Sequence, residues 1–473
     1  MVHRRSLRVK IFLASAKNPW YNNINTYLIF KEKRKLMEYK NRNPRAAIYT
    51  LGCRVNQYES DAVEEELKSL GFEVLSFTDV CDVYIINTCA VTAESERKSR
   101  QIIRRAAAAN PNAFILVMGC FSQIKAKEVA KIPGVDYVCG NRNKLSVSEF
   151  AAKLVRSGKK EKDCRILDVE TAALEPMTVN KAYRDRCYIK IEDGCDNHCT
   201  YCIIKKARGN VVSRAPEDVL AEVAAIAKDG CREVVLTGIE AASYGKDIGG
   251  YPLSRLMKQA TEIEGIDRVR AGSLEPSVMT EKFCKELADT KGIMPSFHLS
   301  LQSGSNRILA AMKRKYNREQ VLKHVEYMKS VMPGVTFTCD IIVGFPGETE
   351  EDFLQTVDLA EKIDFLHMHI FPFSPREGTE AAKMKGQLPE SVKKERAHRL
   401  GEIGKALSQK RYLRSIGEER SVLFESRMGE YFYGHAEDML EVVLKTDEDL
   451  QGEVLRVKLV SYDGEHAVAE EIR

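Results

Sequence analysis

The sequence predicts an α/β protein in three parts: an amino-terminal parallel-sheet domain, a central partial barrel of six β/α units, and a small carboxyl-terminal β-barrel. Three observations predict it. Short apolar runs alternate with helical spacing from residue 46 to about 139, and the alternation resumes from 187 to about 371. The last sixty residues carry short β-rich runs with no long helix between them. A chain of 473 residues is also too long for one ordinary core.

In chain order, residues 46–50 form a strand and 58–70 a helix, with Val63, Leu67 and Leu70 on one face and Gly71 as its stop. Residues 72–75 and 83–87 are strands, 93–109 an Arg-rich helix ended by Asn110-Pro111, and 113–118 the next strand. Residues of about 145–180 are charged and less periodic, and they read as the boundary between domains at 46–165 and 180–410. The second series has strands near 187–192, 233–237, 267–273, 296–302, 335–343 and 366–371. Helices fit at 216–228, with Pro216 in its first turn, and at 319–332 and 350–363. Six units are too few for a closed eight-stranded barrel, so an open partial barrel is expected. Residues 411–473 hold strands at 421–425, 431–435, 441–445, 453–460 and 467–471, the pattern of a small barrel.

Composition excludes some classes. At 44% hydrophobic and 30% charged the chain reads as soluble, and its apolar runs at 11–16 and 113–118 fall far short of a bilayer span. No membrane partner is expected. The net charge of +5 is uneven: residues 1–45 hold twelve Lys/Arg against two Glu, or +10, which leaves −5 for the remainder. That basic extension reads as a disordered tail or an upstream start with Met37 as the first residue; an RNA-touching arm is the functional alternative. Its short apolar stretch makes a poor export signal. Thirteen mostly scattered cysteines do not form a disulfide framework and point to a reducing compartment, the cytoplasm.

The strongest motif is Gly194-Cys195-Asp196-Asn197-His198-Cys199-Thr200-Tyr201-Cys202, directly after the first strand of the second series. Thiolates are the usual ligands of iron–sulfur clusters. Three of them on a four-iron cube leave one iron open to bind S-adenosylmethionine (SAM) and cleave it to a 5′-deoxyadenosyl radical. The alternative is a structural zinc knuckle with His198 as fourth ligand. Further polar and small residues follow the next strands: Gly238 and Glu240, Ser273 and Glu275, Gln302, then Asp340 and Gly344. Strand carboxyl ends are where a barrel builds its active site. The glycines would let backbone approach a cofactor, and the polar residues would hold its ammonium or ribose groups.

Cys53, Cys89 and Cys120 share no short spacing, yet each lies at most two residues past a predicted strand. In a parallel sheet those ends share one edge, where ligands bind. From spacing alone two readings stay open: a convergent three-thiol site, or three buried thiols of no special role. Cys81, Cys139, Cys164, Cys187, Cys231, Cys284 and Cys339 read as packing residues. In the last part Phe424, Tyr431, Phe432 and Tyr433, beside Arg427 and His435, suit either RNA stacking or barrel packing.

At these residues the chain resembles a known family. Thr50-Leu51-Gly52-Cys53-Arg54-Val55-Asn56-Gln57-Tyr58-Glu59-Ser60, Asn87-Thr88-Cys89-Ala90-Val91-Thr92 and Gly119-Cys120 resemble the amino-terminal domain of the methylthiotransferases. Glu192-Asp193-Gly194-Cys195 through Cys202-Ile203-Ile204, with Arg208-Gly209, resembles their radical SAM domain, and the last part their TRAM module. Tyr244-Gly245-Lys246-Asp247, Gly272-Ser273-Leu274-Glu275-Pro276 and Arg314-Lys315-Tyr316 resemble the branch that modifies tRNA adenosine 37 already bearing a threonylcarbamoyl group. The resemblance implies an auxiliary [4Fe–4S] cluster on Cys53, Cys89 and Cys120, and a radical [4Fe–4S] cluster on Cys195, Cys199 and Cys202. It further implies methylthiolation at C2 with two SAM per turnover, tRNA as partner, and an electron donor such as flavodoxin or ferredoxin. Sister types act on another tRNA adenosine or on a ribosomal-protein aspartate. A redox-sensing iron–sulfur RNA-binding protein is the reading from another class. Two positions depart from the family's pattern: Lys205-Lys206 stands where Pro and an aromatic or small residue are expected, and Glu240 where many members have His.

Overall fold

A computed structural model of the chain describes residues 42–472. The basic extension therefore lies outside the described residues as far as position 41. Arg42 and Arg45 belong to the fold: Arg42 pairs with Asp82 at 2.8 Å, and Arg45 opens the first strand and meets Glu73 at 3.2 Å.

The amino-terminal domain runs β1 (Arg45–Thr50), α1 (Arg54–Ser69), β2 (Glu73–Leu75), β3 (Val83–Thr88), α2 (Ala93–Ala109), β4 (Phe114–Gly119), α3 (Cys120–Ala130), β5 (Val135–Cys139), α4 (Ser146–Ser157) and β6 (Asp163–Arg165). Its strands form one parallel sheet in the order β2-β1-β3-β4-β5-β6. β3, β4 and β5 are buried along their whole length, which is why they read as unbroken apolar runs. The strand order reverses between β1 and β3, and a doubly wound sheet opens its ligand crevice at that point. α4 corrects the reading of 145–180 as irregular linker. Val147, Phe150, Ala151, Leu154 and Val155 form a buried face, while Glu149, Lys153 and Arg156 lie off it and obscure the period.

The central domain follows with β7 (Arg186–Lys190), β8 (Glu192–Asp193), α5 (Ile204–Arg208), β9 (Val212–Ser213), α6 (Pro216–Lys228), β10 (Glu233–Thr237), α7 (Leu253–Thr261), β11 (Arg268–Ala271) and β12 (Ser273–Leu274). It continues with α8 (Glu281–Ala288), β13 (Ser296–Gln302), α9 (Asn306–Ala311), α10 (Arg318–Val331), β14 (Thr336–Val343), α11 (Glu350–Ile363) and β15 (His367–Pro372). The parallel wall is β11-β10-β7 on one side and β12-β13-β14-β15 on the other. The expected third strand breaks at Gly272, where β11 leaves β10 and β12 joins β13, so the wall curls there. β7 and β15 are its edges and leave the barrel open between them.

A helix that the sequence reading did not foresee, α12 (Glu390–Arg414), leads to the last domain. β16 (Glu419–Met428), β17 (Tyr431–Ala436), β18 (Glu441–Lys445), β19 (Val454–Tyr462) and β20 (Ala467–Glu471) close a barrel in the order β16-β17-β18-β20-β19. Phe424 and Phe432 fill its core, so those two aromatics pack the barrel. Tyr431 and Tyr433 stay partly exposed. Among the described residues no helix is long and apolar enough to cross a membrane.

Candidate active site

Cys53, Cys89 and Cys120 stand at the carboxyl ends of β1, β3 and β4, three neighbouring strands. Cys53 caps α1, and Cys120 is the first residue of α3. Gly119 makes the second turn possible: its φ is +104°, and a Cβ there would lie 2.5 Å from the Thr88 carbonyl. Asn56 ties the two ends together, donating to Leu51 O at 2.7 Å and Thr88 O at 3.2 Å. The thiols sense one another: burial first, then the charge of Cys120, pushes Cys89 up to about 11.

The second triad lies on the loop that follows β8. Asn197 N–H points to Cys195 Sγ at 3.4 Å, and Ile204 N–H to Cys202 Sγ at 3.4 Å. Arg314 Nη1 reaches Cys199 Sγ at 3.1 Å and its Nη2 lies 3.1 Å from Glu275 Oε1. Glu240 Oε2 lies 3.8 Å from Cys195 Sγ and accepts from Asn197 Nδ2 at 2.6 Å.

Arg208 joins the two sites. It is fully buried, and its Nε reaches Cys120 Sγ at 3.3 Å across the domain boundary. The same guanidinium donates to Asn56 Oδ1 at 2.6 Å, Glu59 Oε1 at 2.7 Å and Asp193 Oδ1 at 3.0 Å. Lys144 also pairs with Glu59, while Lys190 contacts Glu59 at 2.8 Å and Asp193 at 2.9 Å. Arg142, buried as well, sits 3.6 Å from Asp193. Four buried cations thus face the fully buried Glu59 and Asp193, with fully buried Glu192 near Lys190 and half-buried Glu175 near Lys144. Charge packed this densely is costly in a dry interior unless each group is paired. A cluster on Cys53, Cys89 and Cys120 would keep its thiols deprotonated and so place negative charge beside Arg208.

Of the expected SAM contacts, Glu240, Ser273, Glu275, Gln302 and Asp340 are gathered near the loop. Ser273 Oγ meets Ser300 Oγ at 2.8 Å, and Ser300 O accepts from Arg314 at 3.1 Å. Gln302, held at φ +67°, and Asp340 line a cavity of about 210 Å³ with Cys202. Its other wall is Val91 and Thr92, in the turn after Cys89, so this cavity lies between the two triads. Gly238 and Gly344, the expected points of backbone approach, have protein side chains beside them. A Cβ on Gly238 would fall 2.0 Å from Glu192 Oε1, and one on Gly344 2.4 Å from Lys393 Cγ. These glycines admit protein groups, which accounts for them without a cofactor. Arg208, Arg314 and Glu192 stand in the motif words of the sequence but carry no role there, because no local spacing marks one.

The zinc alternative gains no support from the geometry. Among the described residues only His298, Asp340 and His369 bring three donor atoms within 4.8 Å of one another; neither cysteine triad does. His198 turns to Lys205 at 3.3 Å. The more widely set triads suit iron–sulfur cubes rather than one tetrahedral ion. Lys206, the other departure, donates to Gly378 O at 2.5 Å.

A three-thiol loop at the carboxyl edge of a six-unit partial barrel defines a radical SAM enzyme. Residues 189–360 match the Radical SAM superfamily, and residues 45–140 match a family described as Uncharacterized protein family UPF0004. The chain is 37% identical over 422 residues to threonylcarbamoyladenosine tRNA methylthiotransferase MtaB of Bacillus subtilis, covering 88% of this chain and 93% of that one. It is 35% identical over 424 residues to tRNA-2-methylthio-N(6)-dimethylallyladenosine synthase of Pelotomaculum thermopropionicum, covering 87% and 94%. Among solved structures, the radical SAM methyltransferase TsrM of Kitasatospora setae, with cobalamin and a [4Fe-4S] cluster bound, superposes with a TM-score of 0.52. That match is 16% identical over 72% of this chain and 77% of TsrM, and it speaks for the fold alone. The chain belongs to the methylthiotransferase family of radical SAM enzymes. Its cofactors are SAM and two [4Fe–4S] clusters.

Proposed function

We propose that this chain adds a methylthio group to C2 of N6-threonylcarbamoyladenosine at position 37 of tRNA, consuming two SAM per turnover. The observation that carries the reading is the meeting of two three-thiol sets across one domain boundary, with Arg208 bonded to Cys120 on one side and Asp193 on the other. The relatives named for threonylcarbamoyladenosine support the substrate.

When bound, the clusters supply what no side chain can: a one-electron cleavage of SAM at Cys195, Cys199 and Cys202, and a sulfur carrier at Cys53, Cys89 and Cys120. The protein's share is position and exclusion of water. Arg314 fixes Cys199 against Glu275 and Ser300, and Asn197 fixes Glu240 beside Cys195. The cavity between the triads is walled by Tyr201, Ile203, Ile342 and Phe373, so a base entering it leaves most of its water behind. The carboxyl-terminal barrel, read as a TRAM module, holds the RNA. Tyr431 and Tyr433 are its partly exposed rings, whereas Arg427 is spent on the carbonyls of Thr446 and Asp447 at 3.0 and 3.1 Å. A one-electron donor such as flavodoxin or ferredoxin and a cytoplasmic setting complete the proposal.

Nucleoside mass spectrometry of tRNA from a deletion strain tests it. The expected result is loss of the methylthio mass on threonylcarbamoyladenosine. Its persistence, with a methylthio group lost from dimethylallyladenosine or from a ribosomal protein, would overturn the substrate. Release of 5′-deoxyadenosine by the reduced, reconstituted protein separates an enzyme from a redox-sensing RNA binder.

A further inference from the structure

A groove of about 830 Å³ runs between β15, α12 and the carboxyl-terminal barrel. The carboxyl-terminal barrel forms one side of it through His435 and Tyr462, and β15 lines the lumen side with His367 and His369. Arg54 reaches it from α1. Asp340 pairs with His298 of this groove at 3.2 Å and also lines the cavity beside Cys202. Asp340 thus stands between the groove and that cavity.

Arg54 is the cation of this groove without a carboxylate partner. It is exposed, forms no ion pair among the described residues, and lies 5.9 Å over the Tyr188 ring on β7. Its charge reaches His369, whose ring sits 5.6 Å from that of His298. His298 Nδ1 is engaged by Thr338 Oγ1 at 2.8 Å, so its Nε2 faces Asp340. Of the carboxylates at the groove, Glu441 lies 3.7 Å from His466, Glu465 is exposed at the rim, and Asp340 behind it pairs with His298.

C2 and C6 of adenine flank the same ring nitrogen. A base that presents C2 to the auxiliary thiols must hang its N6 substituent within one ring's width of them. Arg54 is the residue next to Cys53. A dimethylallyl substituent is apolar and gains nothing from a guanidinium; a threonylcarbamoyl substituent ends in a carboxylate and a hydroxyl. We propose that Arg54, with His369 beside it, binds the carboxylate of the N6 substituent and thereby selects the modified adenosine. This inference rests on the function proposed above.

The test is equilibrium binding of anticodon stem-loop RNA, carrying either threonylcarbamoyladenosine or adenosine at position 37, to the full, cluster-loaded chain by fluorescence anisotropy. Wild type is expected to prefer the modified RNA. Arg54→Gln should weaken that complex roughly ten- to hundredfold, the effect of losing a charge-assisted bond to a carboxylate, and leave the unmodified RNA unchanged. Arg54→Lys should restore most of the preference. Because Arg54 adjoins a cluster ligand, His369→Gln on the edge strand serves as a second variant, with a loss of a few-fold expected from one neutral hydrogen bond. A preference absent from wild type, or kept in both Arg54→Gln and His369→Gln, overturns the inference. Failure of wild type to convert the modified RNA overturns the proposed function instead.

Discussion

Replacing Glu233 by Gln should detach the carboxyl-terminal barrel from the central domain without unfolding either. Glu233 opens β10 with no exposed surface, in register with Arg186 of β7 and Arg268 of β11. Arg186 Nε and Arg270 Nε each donate to its Oε1 at 2.6 Å, and Arg268 Nε lies 3.1 Å from Oε2. The arginines in turn grip the last domain. Arg268 donates to His435 O at 3.3 Å, Arg270 to Glu437 O at 2.9 Å and Ala436 O at 3.1 Å, and Arg186 pairs with Glu425 at 3.3 Å.

The three guanidinia outweigh burial and hold the Glu233 carboxyl down to about 2. Against an unfolded value of about 4.3, at about 1.36 kcal/mol per unit, that is worth roughly 3 kcal/mol. A depressed carboxylate stabilises the fold above its unfolded pKa, so this contribution is complete above about pH 4.3 and fades as pH falls toward 2. The same crowding pulls Arg270 down to about 10, because burial and two like charges exceed the pull of one carboxylate. The intact cluster is thus near break-even, and deleting only the carboxylate leaves three buried cations with Glu425, on Arg186, as the remaining ion-pair partner, a loss of about 3–5 kcal/mol. Hydrogen exchange at pH 7 reads this directly. Amides of β16 and β17 should exchange on the order of a hundredfold faster in Glu233→Gln, while β13 and β14 keep their protection. Unchanged protection of β16 and β17 would refute the charge argument.

Four more outcomes are expected. Cys199→Ala should abolish 5′-deoxyadenosine release and lower iron from about eight to about four per chain, by iron analysis. Gly119→Ala must place a Cβ 2.5 Å from Thr88 O at φ +104°; strain of roughly 1–3 kcal/mol should cost the auxiliary iron while SAM cleavage persists. Glu240→Gln removes a negative charge 3.8 Å from Cys195 Sγ, and should raise the radical cluster's midpoint potential by roughly 50–100 mV in an EPR-monitored titration. Arg208→Met should cost about 3 kcal/mol, less than a lone buried pair because Lys144 and Lys190 still hold Glu59. Its signature is easier proteolytic cleavage between the first two domains, with β3 and β4 still protected.

What the sequence revealed, and what it hid, follows from the range over which each feature is encoded. The Cys195, Cys199 and Cys202 triad is legible because all three ligands sit on one short loop whose spacing is covalent. Cys53, Cys89 and Cys120 converge only through the order β1-β3-β4, which strand prediction suggests but does not fix; the surrounding motif words, not the spacing, identified them. Gly238 and Gly344 show a limit of another kind. A glycine reports that something comes close, and in both cases it is a side chain from a distant element, Glu192 or Lys393, that no local rule reveals.

The charge network is the least legible feature. Arg142 and Lys144 come from the loop after β5, Lys190 from β7, Arg208 from α5 and Glu59 from α1. Read singly, each is a surface charge, since such residues are almost never fully buried without partners. They are buried where the two domains meet, paired with Glu59 and Asp193, and Arg208 also reaches Cys120 Sγ there. The interface between the domains and the auxiliary thiol site are therefore one structure. An enzyme that must pass sulfur across that boundary gains from having its domain contact depend on the same arginine that touches Cys120.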